Sequence, residues 1–441
     1  MPRLLDLNYD ILATMMEYLE TDDLLSTSLT VSSLRELSQD RLVCSVKLGT
    51  LDSIASFNKF ILADSGRRLR LFKSLELLPE GWSIDSELDQ RSLEMFLAPV
   101  LESADNLSRL DLALVDLQGT LDASPRLRDA LLLTLRRVAQ LRLSGKGMIS
   151  LFGDALANGS ACVRHLAVRL ESVGQAGSVL FLLAPTRATL EYLWIYDTTP
   201  RQRLLFPDPV HVRWLRMHTL MLSGNPLLFD ARHMQGAFPN IQELSMTGIV
   251  APSPDPRWKD PGFEWGSLHT YSGHLKTLLS LRIRGQVRYL ESASPTSLDH
   301  EFAYLGEPWI WEAATELRTL ILWVIRPAHI DQLRDSLSRL CAALKVTKLS
   351  CLRLAVTCAQ PENEVWQCLA TCIRSSVLGG LSSLRTVEIR IGFRDTGRKG
   401  RVYRIRPPTG ATVGRTNDID MCRRDKNKGG GECLRYCNPQ Q

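Results

Sequence analysis

The sequence repeats one apolar hexad, which reads LSRLDL at 107–112, VAQLRL at 138–143 and LEYLWI at 190–195. Apolar residues occupy the first, fourth and sixth positions of each copy. Because successive side chains of a β-strand point to opposite faces, the fourth and sixth residues of a hexad share one face. The hexad therefore predicts a short strand that is buried on one side.

Twelve such hexads follow one another along the chain. Their central apolar residues are Val46, Leu75, Leu110, Leu141, Leu166, Leu193, Leu220, Leu244, Leu281, Leu320, Leu352 and Val387. Successive centres lie 24 to 39 residues apart, and 76 of the 441 residues are leucine. A single short strand cannot close a core, whereas a stack of similar units can. The spacing therefore predicts a repeat architecture.

Helix-forming segments lie between the hexads, at 125–138, 175–184, 330–344 and 365–377. Parallel strands need a crossover of this length to return the chain to the same edge. Alternating strands and helices predict an α/β fold, specifically a curved parallel α/β solenoid of leucine-rich-repeat type. A doubly wound α/β domain is the alternative.

Two long, proline-rich spacings flank Leu281 and predict loops in place of helices. Three tryptophans lie in these loops and either anchor them to the core or bind a partner: Trp258, Trp309 and Trp311.

Composition divides the chain into three parts: residues 1–45 as a short helical module, 46–392 as the repeat region, and 393–441 as a basic tail. The tail has twelve basic and five acidic residues and a single leucine. Such a segment buries too little apolar surface to offset its ordering entropy, which predicts disorder. Since the tail accounts for the positive net charge, the body gives no indication of specific nucleic-acid binding.

Composition also argues against several classes of protein. The apolar runs are far shorter than the roughly 20 residues of a membrane span, and no secretory signal follows Met1. Ten cysteines without a regular spacing suggest reduced thiols in the cytoplasm or nucleus. The sequence has no P-loop, HExxH or GxSxG motif and no convincing set of metal ligands. We therefore expect a protein without catalytic activity, cofactor or metal, and without a membrane partner.

The first part of the chain predicts three short helices between Leu7 and Leu37. Apolar residues recur there at helical spacing, and Glu20 to Asp22 break the first helix from the second. Some forty residues bury too little surface to be stable alone. The module therefore needs either the repeat region or a partner protein against its apolar face.

The segment from Leu7 to Leu37 resembles the F-box motif: a leucine, a helix ending in Tyr18-Leu19, then Asp23-Leu24-Leu25 and a later Leu-Arg-Glu-Leu stretch. Asn8 stands where the family usually has proline. An F-box followed by degenerate leucine-rich repeats is similar to a family of fungal proteins. The resemblance implies a substrate receptor of an SCF-type cullin-RING ubiquitin ligase, with a SKP-family adaptor and the other ligase subunits as partners. The implied adaptor-binding residues are Leu7, Ile11, Leu12, Met15, Leu19, Leu24, Leu25 and Leu29. Alternatively, the same residues form the core of a cap on the repeat region.

A target protein is expected to bind the outward positions of the strands. Aromatic and arginine side chains dominate interface energetics, and several occupy these positions. They are Tyr192, Trp194, Tyr196, Arg282, Arg284, Trp323, Arg353 and Arg390. This set predicts a surface with an aromatic centre and a basic C-terminal half, suited to an acidic or phosphorylated segment. A register shift of one residue would instead turn the aromatic side chains into the core. The sequence does not identify the target. An interaction scaffold of leucine-rich repeats with no ligase role is the alternative function.

Overall fold

The fold is described from a computed structural model. The residues described are 8–63, 66–77, 87–157, 161–170, 175–197, 202–252, 265–266, 268–274, 277–278, 287–292, 314–325, 335, 338–340, 342, 344–358, 383–393 and 401–405. The chain divides into two compact units, 1–273 with 277–285, and 274–276 with 286–441.

The first unit contains a sheet whose main strands pair in chain order. Its strands are β1 (Ser45–Leu48), β2 (Ser74–Leu77), β3 (Arg109–Asp116), β4 (Gln140–Lys146), β5 (His165–Leu170), β6 (Tyr192–Asp197), β7 (Gln202–Leu204), β8 (Thr219–Phe229), β9 (Glu243–Pro252) and β10 (Thr270–Gly273). The order is β1-β2-β3-β4-β5-β6-β8-β9-β10, and β7 lies beside β8. Every pair is parallel.

The leucines at the hexad centres form a continuous buried row across this sheet. The strand register places these residues directly opposite one another: Leu110, Leu141, Leu166, Leu193, Leu220 and Leu244. None of them is more than 3% exposed. The hexad therefore sets the register, since a slip of one residue would turn the row toward solvent.

Helices lie between most of these strands, whereas the described residues between β6 and β8 form β7 and turns without a helix. The unit has α1 (Tyr9–Glu17), α2 (Thr21–Thr30), α3 (Arg35–Cys44), α4 (Leu51–Leu62), α5 (Arg67–Leu71), α6 (Glu87–Ser103), α7 (Leu117–Ala123), α8 (Pro125–Arg137), α9 (Met148–Ala157), α10 (Gln175–Leu182) and α11 (Ala231–Ala237). Helix α8 begins at a proline, whose fixed φ suits a first turn, and buries Leu127, Leu131 and Leu135 along one face. Helices α4, α6, α8 and α9 pack in succession.

The sequence-based helices agree with these bounds where the structure describes them. Helices α8 and α10 confirm the segments predicted at 125–138 and 175–184, although the second ends two residues early and continues as a 3₁₀ turn at Ala184–Ala188. The segment 365–377, most of 330–344, and Trp258, Trp309 and Trp311 lie outside the described residues.

Helices α1, α2 and α3 share a small core of their own. It consists of Leu12, Met16, Leu24, Leu34 and Leu37. Helix α3 continues without a linker into β1, and Arg67 on α5 forms ion pairs with Glu36 and Asp40 of α3. The helices therefore belong to the same compact unit as the sheet, although the sequence analysis treats residues 1–45 as a separate module.

The hexad predicted around Leu281 begins at Leu278, and that is the one residue of the six that the structure describes. Leu278 is helical, and Leu281 lies outside the described residues. Strands occur instead on either side, at β10 and at β11 (Tyr289–Ser292), with Tyr271 and Leu290 fully buried at their centres. These hexads end in Gly273 and Ser292 rather than in an apolar residue.

The side chain of Tyr271, at the centre of the β10 hexad, explains why glycine occupies the sixth position, Gly273. A Cβ on Gly273 would lie 2.7 Å from the Tyr271 hydroxyl and 2.7 Å from the Met246 carbonyl oxygen. The large Tyr271 side chain therefore occupies space that a side chain at the sixth hexad position would need.

In the second unit, the described residues form five strands. They are β11, β12 (Thr319–Ile325), β13 (Cys351–Cys358), β14 (Thr386–Phe393) and β15 (Arg401–Ile405). Strands β11 to β14 are parallel, and β15 is antiparallel to β14. Because β15 lies within the segment predicted to be disordered, that prediction is wrong for these five residues. The two units confirm the broader prediction of an α/β protein built on parallel strands.

Candidate functional site

The N-terminal helices divide the implied adaptor-binding residues into two groups. Leu12 and Leu24 are only 7% and 5% exposed, because they form the core between the three helices. Their assignment to a contact face is therefore corrected: they support the surface but do not form it. Leu7 lies outside the described residues.

The remaining residues of the set are exposed. Ile11 and Leu29 are 50% and 77% exposed, and Met15, Leu19 and Leu25 are exposed as well. Tyr18, which the sequence analysis did not assign to the adaptor-binding face, is 84% exposed. We call these six residues the N-terminal apolar surface: Ile11, Met15, Tyr18, Leu19, Leu25 and Leu29. Ile11 and Met15 lie on α1, Leu25 and Leu29 lie on α2, and the other two residues lie between these helices. Several large exposed apolar side chains in one short stretch are typical of an interaction site.

Helical spacing produces this surface. On α1, Met15 follows Ile11 by four residues and so lies on the same side of the helix. On α2, Leu29 follows Leu25 by four residues in the same way. Leu12, directly after Ile11, and Leu24, directly before Leu25, point to the core. Each helix therefore has a buried apolar stripe beside an exposed one.

The stretch of sequence that carries the N-terminal apolar surface is acidic. Residues 8–31 contain five carboxylates and no lysine, arginine or histidine: Asp10, Glu17, Glu20, Asp22 and Asp23. Two of these, Asp22 and Asp23, lie in the first turn of α2, where a negative charge is favourable.

The sheet of the first unit offers a second candidate surface on the face opposite the leucine row. Leu193 and Ile195 are fully buried, so the aromatic side chains of Tyr192, Trp194 and Tyr196 lie on the other face of β6. Tyr192 and Trp194 are half-buried and Tyr196 is exposed. Of the two registers left open above, the structure thus adopts the one in which these aromatics face outward.

A pocket of about 320 Å³ opens on this face, between strands β3 and β6. We call it the strand-face pocket. Its lining residues are Ala113, Arg142, Leu143, Ser144, Ala167, Val168, Arg169, Trp194 and Tyr196. The Arg142 guanidinium lies 5.6 Å from the centre of the Trp194 ring, and that of Arg169 lies 5.8 Å from the centre of the Tyr196 ring. Both distances fall within the range of cation–π attraction.

Trp194 and Tyr196 lie on the outward face, as the sequence predicts, whereas Arg142, Ala167 and Arg169 are not among the predicted site residues. The available signal was the alignment of the hexads. It places Ala167 between Arg142 and Trp194 in one row of outward residues, so a small side chain stands between two large ones.

Asp111 is a buried carboxylate beside this pocket. It is 2% exposed, and its Oδ2 lies 3.5 Å from Nη1 of Arg142. Among the described residues, its Oδ1 has no hydrogen-bond partner. Burial raises the pKa of Asp111 above its ordinary value of 3.8, and Arg142 only partly offsets this effect.

We expect Asp111→Asn to increase the free energy of unfolding at pH 7 by about 1 kcal/mol. A carboxyl group with a raised folded-state pKa contributes stability below pH 3.8, and that contribution is lost as the pH rises through the folded-state pKa. The variant removes this loss. Arg142 has a side chain that is 56% exposed, so it remains hydrated without its partner. Thermal unfolding at pH 7 and below pH 3.8 tests this, and a gain that fails to shrink in acid would contradict it.

The predicted basic C-terminal half is only partly described. Arg282 and Arg284, and the side chains of Trp323 and Arg390, lie outside the described residues. Arg353 is exposed on β13, and its Nε lies 3.9 Å from Oε2 of Glu388, which is 3% exposed. The charge of Arg353 is therefore balanced by a buried carboxylate.

The same face of the second unit carries further acidic groups. The Tyr289 hydroxyl donates a hydrogen bond of 3.1 Å to Oε2 of Glu291. Burial, together with the Glu291 charge, raises the pKa of Tyr289. Where it is described, this face is thus mixed in charge rather than basic.

The described part of the chain contains neither a metal-binding cluster nor a membrane-spanning helix. There, no group of three or more histidine, cysteine, aspartate or glutamate residues is placed to hold a metal ion. No described helix is both long and apolar enough to cross a bilayer. No protein-family model and no curated protein matches the chain.

Proposed function

We propose that the chain is the substrate-recruiting F-box subunit of an SCF-type cullin-RING ubiquitin ligase. In this proposal a SKP-family adaptor binds the N-terminal apolar surface, and a target protein binds the outward face of the strands. The chain needs no catalytic residues of its own, because the ubiquitin-transfer chemistry belongs to the other ligase subunits.

The observation that carries this proposal is the exposure of the N-terminal apolar surface. Burying one large aliphatic side chain contributes about 1.5–3 kcal/mol. Leu29 is 77% exposed and Ile11 is half exposed, although a core for them to join lies directly beside them. A protein partner that covers them would recover this free energy.

The arrangement of the strands supports a leucine-rich-repeat solenoid as the second part of the proposal. In the first unit the main strands follow chain order, and helices return the chain between most of them. A doubly wound sheet would reverse its strand order near the middle. Solenoids present one long open face of parallel strands, which is how such proteins bind partners.

A second candidate function is an interaction scaffold whose N-terminal helices only cap the sheet. The observation that favours it is the continuity between α3 and β1, together with the ion pairs from Arg67 to α3. Helices that only cap the sheet would need such connections to its first strand. They would not need the exposed side chains of the N-terminal apolar surface.

Co-purification with a recombinant SKP-family adaptor separates the two functions. We expect the full chain and the adaptor to elute together in size-exclusion chromatography, with a Kd of about 1 µM or tighter by calorimetry. An unrelated leucine-rich-repeat protein without the N-terminal helices serves as the control. If the folded chain and the adaptor elute separately, the ligase role is wrong and the scaffold function takes its place.

A further inference from the structure

We propose that the amino-terminal edge of the parallel strands in the second unit binds an extended acidic segment of a partner protein. The residues concerned directly precede β11, β12, β13 and β14, and we call them the basic edge row: Arg288, Arg318, Ser350 and Arg385. The inference goes beyond the proposed function, because this edge is separate from the outward face of the strands and its binding requires neither an adaptor nor a ligase role.

The strand register holds the basic edge row together. In each member after the first, the backbone N–H donates a hydrogen bond of 2.8 Å to the carbonyl oxygen of the preceding member. The strands that follow pair in parallel and continue the same register. Neighbouring strands of a sheet lie about 4.8 Å apart, so the row spans about 14 Å from Arg288 to Arg385.

Positive charge is concentrated at this edge. The described residues that lead into β11 to β14 are 287–288, 314–318, 344–350 and 383–385. They include five cationic side chains and one carboxylate: Arg288, Arg318, Lys345, Lys348, Arg385 and Glu316. In the first unit the corresponding row is mixed, since Glu191 follows Arg164 there. The excess of positive charge in the second unit would attract an acidic segment.

The three arginines of the row are exposed, and their guanidinium groups make no ion pair or hydrogen bond with the residues that the structure describes. The carboxylate of Glu316 already accepts a hydrogen bond of 2.5 Å from Nζ of Lys348, which is the main cause of its lowered pKa. Arg288 and Arg318 lower that pKa further through their charge alone. Since neighbouring like charges also repel one another, the row keeps guanidinium groups that a partner's carboxylates can pair with.

The length of the row fits an extended peptide. In an extended chain every second side chain points to the same side, so three such side chains span about 13 Å. This length is close to that of the row. Carboxylates at three alternate positions can therefore each meet one arginine, through paired, charge-assisted hydrogen bonds.

The surroundings of the row favour a peptide over nucleic acid. Proteins that bind single strands combine cations with aromatic side chains on which the bases stack. The row itself has no aromatic residue, and Tyr289, which follows Arg288, is half-buried and donates its hydroxyl hydrogen bond to Glu291. The residues that follow the other members are Thr319, Cys351 and Thr386. An acidic peptide needs no stacking surface.

Fluorescence anisotropy with a labelled peptide and the full chain tests the inference. The probe carries glutamate at three alternate positions, separated by serines. One matched peptide has lysine in place of glutamate, and the other has the same three glutamates side by side. We expect a Kd of about 100 µM or tighter for the probe at about 50 mM salt, and at least about threefold weaker binding of each matched peptide. Equal binding of either matched peptide, or none by the probe, would overturn the inference.

The triple variant Arg288→Gln/Arg318→Gln/Arg385→Gln locates the binding site. It removes every charge of the row but leaves the backbone hydrogen bonds between its members. We expect it to weaken binding of the probe at least about tenfold. Unchanged probe binding would overturn the assignment. Because the substituted side chains are exposed, we expect the same midpoint of thermal unfolding as in the wild type. If the triple variant were unfolded, the single variant Arg318→Gln, expected to weaken binding about threefold, would carry the test.

The matched control is the triple variant Arg164→Gln/Arg187→Gln/Arg216→Gln. It removes the same amount of charge from three exposed arginines of the first unit. We expect it to change the affinity for the probe less than about threefold. A loss as large as that of the row variant would show diffuse attraction to the net charge and overturn the assignment.

Competition identifies the class of partner. The unlabelled probe should displace the labelled probe at a lower concentration than an oligouridylate of the same number of negative charges. The reverse order would identify a nucleic-acid site and overturn the peptide assignment. Since the adaptor is absent throughout, failure here leaves the proposed function standing, and failure of adaptor binding leaves this site standing.

Discussion

Replacing Ile11 and Leu29 by aspartate should abolish adaptor binding while leaving the chain folded. Both side chains are at least half exposed, so the free chain loses little stability when they become polar. In the complex, the same positions would bury unpaired carboxylates, which costs several kcal/mol. We therefore expect the Kd for a SKP-family adaptor to rise at least about 100-fold, measured by calorimetry.

The matched control for this double variant is Leu133→Asp with Phe181→Asp. These residues are 51% and 50% exposed on α8 and α10, away from the N-terminal helices. The control introduces the same two charges and should bind the adaptor as the wild type does. If the control loses affinity to the same extent, or if the Ile11 and Leu29 variant keeps it, the N-terminal apolar surface is not the contact.

The choice of residues matters, because neighbouring leucines behave in the opposite way. Leu12→Ala removes a side chain from the core shared by α1, α2 and α3, and large-to-small changes in a core cost about 2–5 kcal/mol. Loss of binding by such a variant would report unfolding of the module rather than loss of a contact.

Trp214→Ala should destabilise the first unit by about 3–5 kcal/mol. Trp214 is fully buried, and its ring centre lies 5.0 Å from that of Phe238. Its indole N–H donates to Oγ1 of Thr186 at 3.4 Å, and its backbone N–H donates to the Ala237 carbonyl at 2.8 Å. The substitution would leave a large cavity among these elements and an unpaired Thr186 hydroxyl lone pair. Urea unfolding followed by far-UV circular dichroism measures the change in midpoint.

Trp194→Ala is the matched comparison for this large effect. It removes the same side chain from the half-buried face of β6, where water can replace the lost contacts. We expect a loss below about 1 kcal/mol. Equal losses at the two tryptophans would mean that the aromatic residues of β6 belong to the core, which would also invalidate the strand-face pocket.

Much of the sheet could be predicted from the hexads, because their apolar residues leave only one register that buries them all. Leu110, Leu141 and Leu193 lie in the predicted row. The strands β10 and β11 escaped prediction because Gly273 and Ser292 replace the sixth apolar residue. The hexad requires apolar residues at both its fourth and sixth positions. In β10 the large side chain of Tyr271, at the fourth position, also fills the space beside Gly273, at the sixth.

The candidate sites were harder to predict than the fold. Helical spacing identifies an apolar stripe but does not show where the core ends, so Leu12 and Leu24 could not be distinguished from Ile11 and Leu25 in the sequence. The strand-face pocket depends on which side chains become neighbours across β4 to β6. That neighbourhood brings Arg142 and Trp194 together although they are far apart in the chain, and it follows only from the register.

The constant register also has a consequence for protein engineering. The distance between successive row leucines ranges from 24 residues between Leu220 and Leu244 to 35 residues between Leu75 and Leu110, yet the pairing remains in step. The return segments can therefore gain or lose residues without displacing the strands. Outward positions of the sheet can in turn be substituted one strand at a time without changing the buried row of leucines.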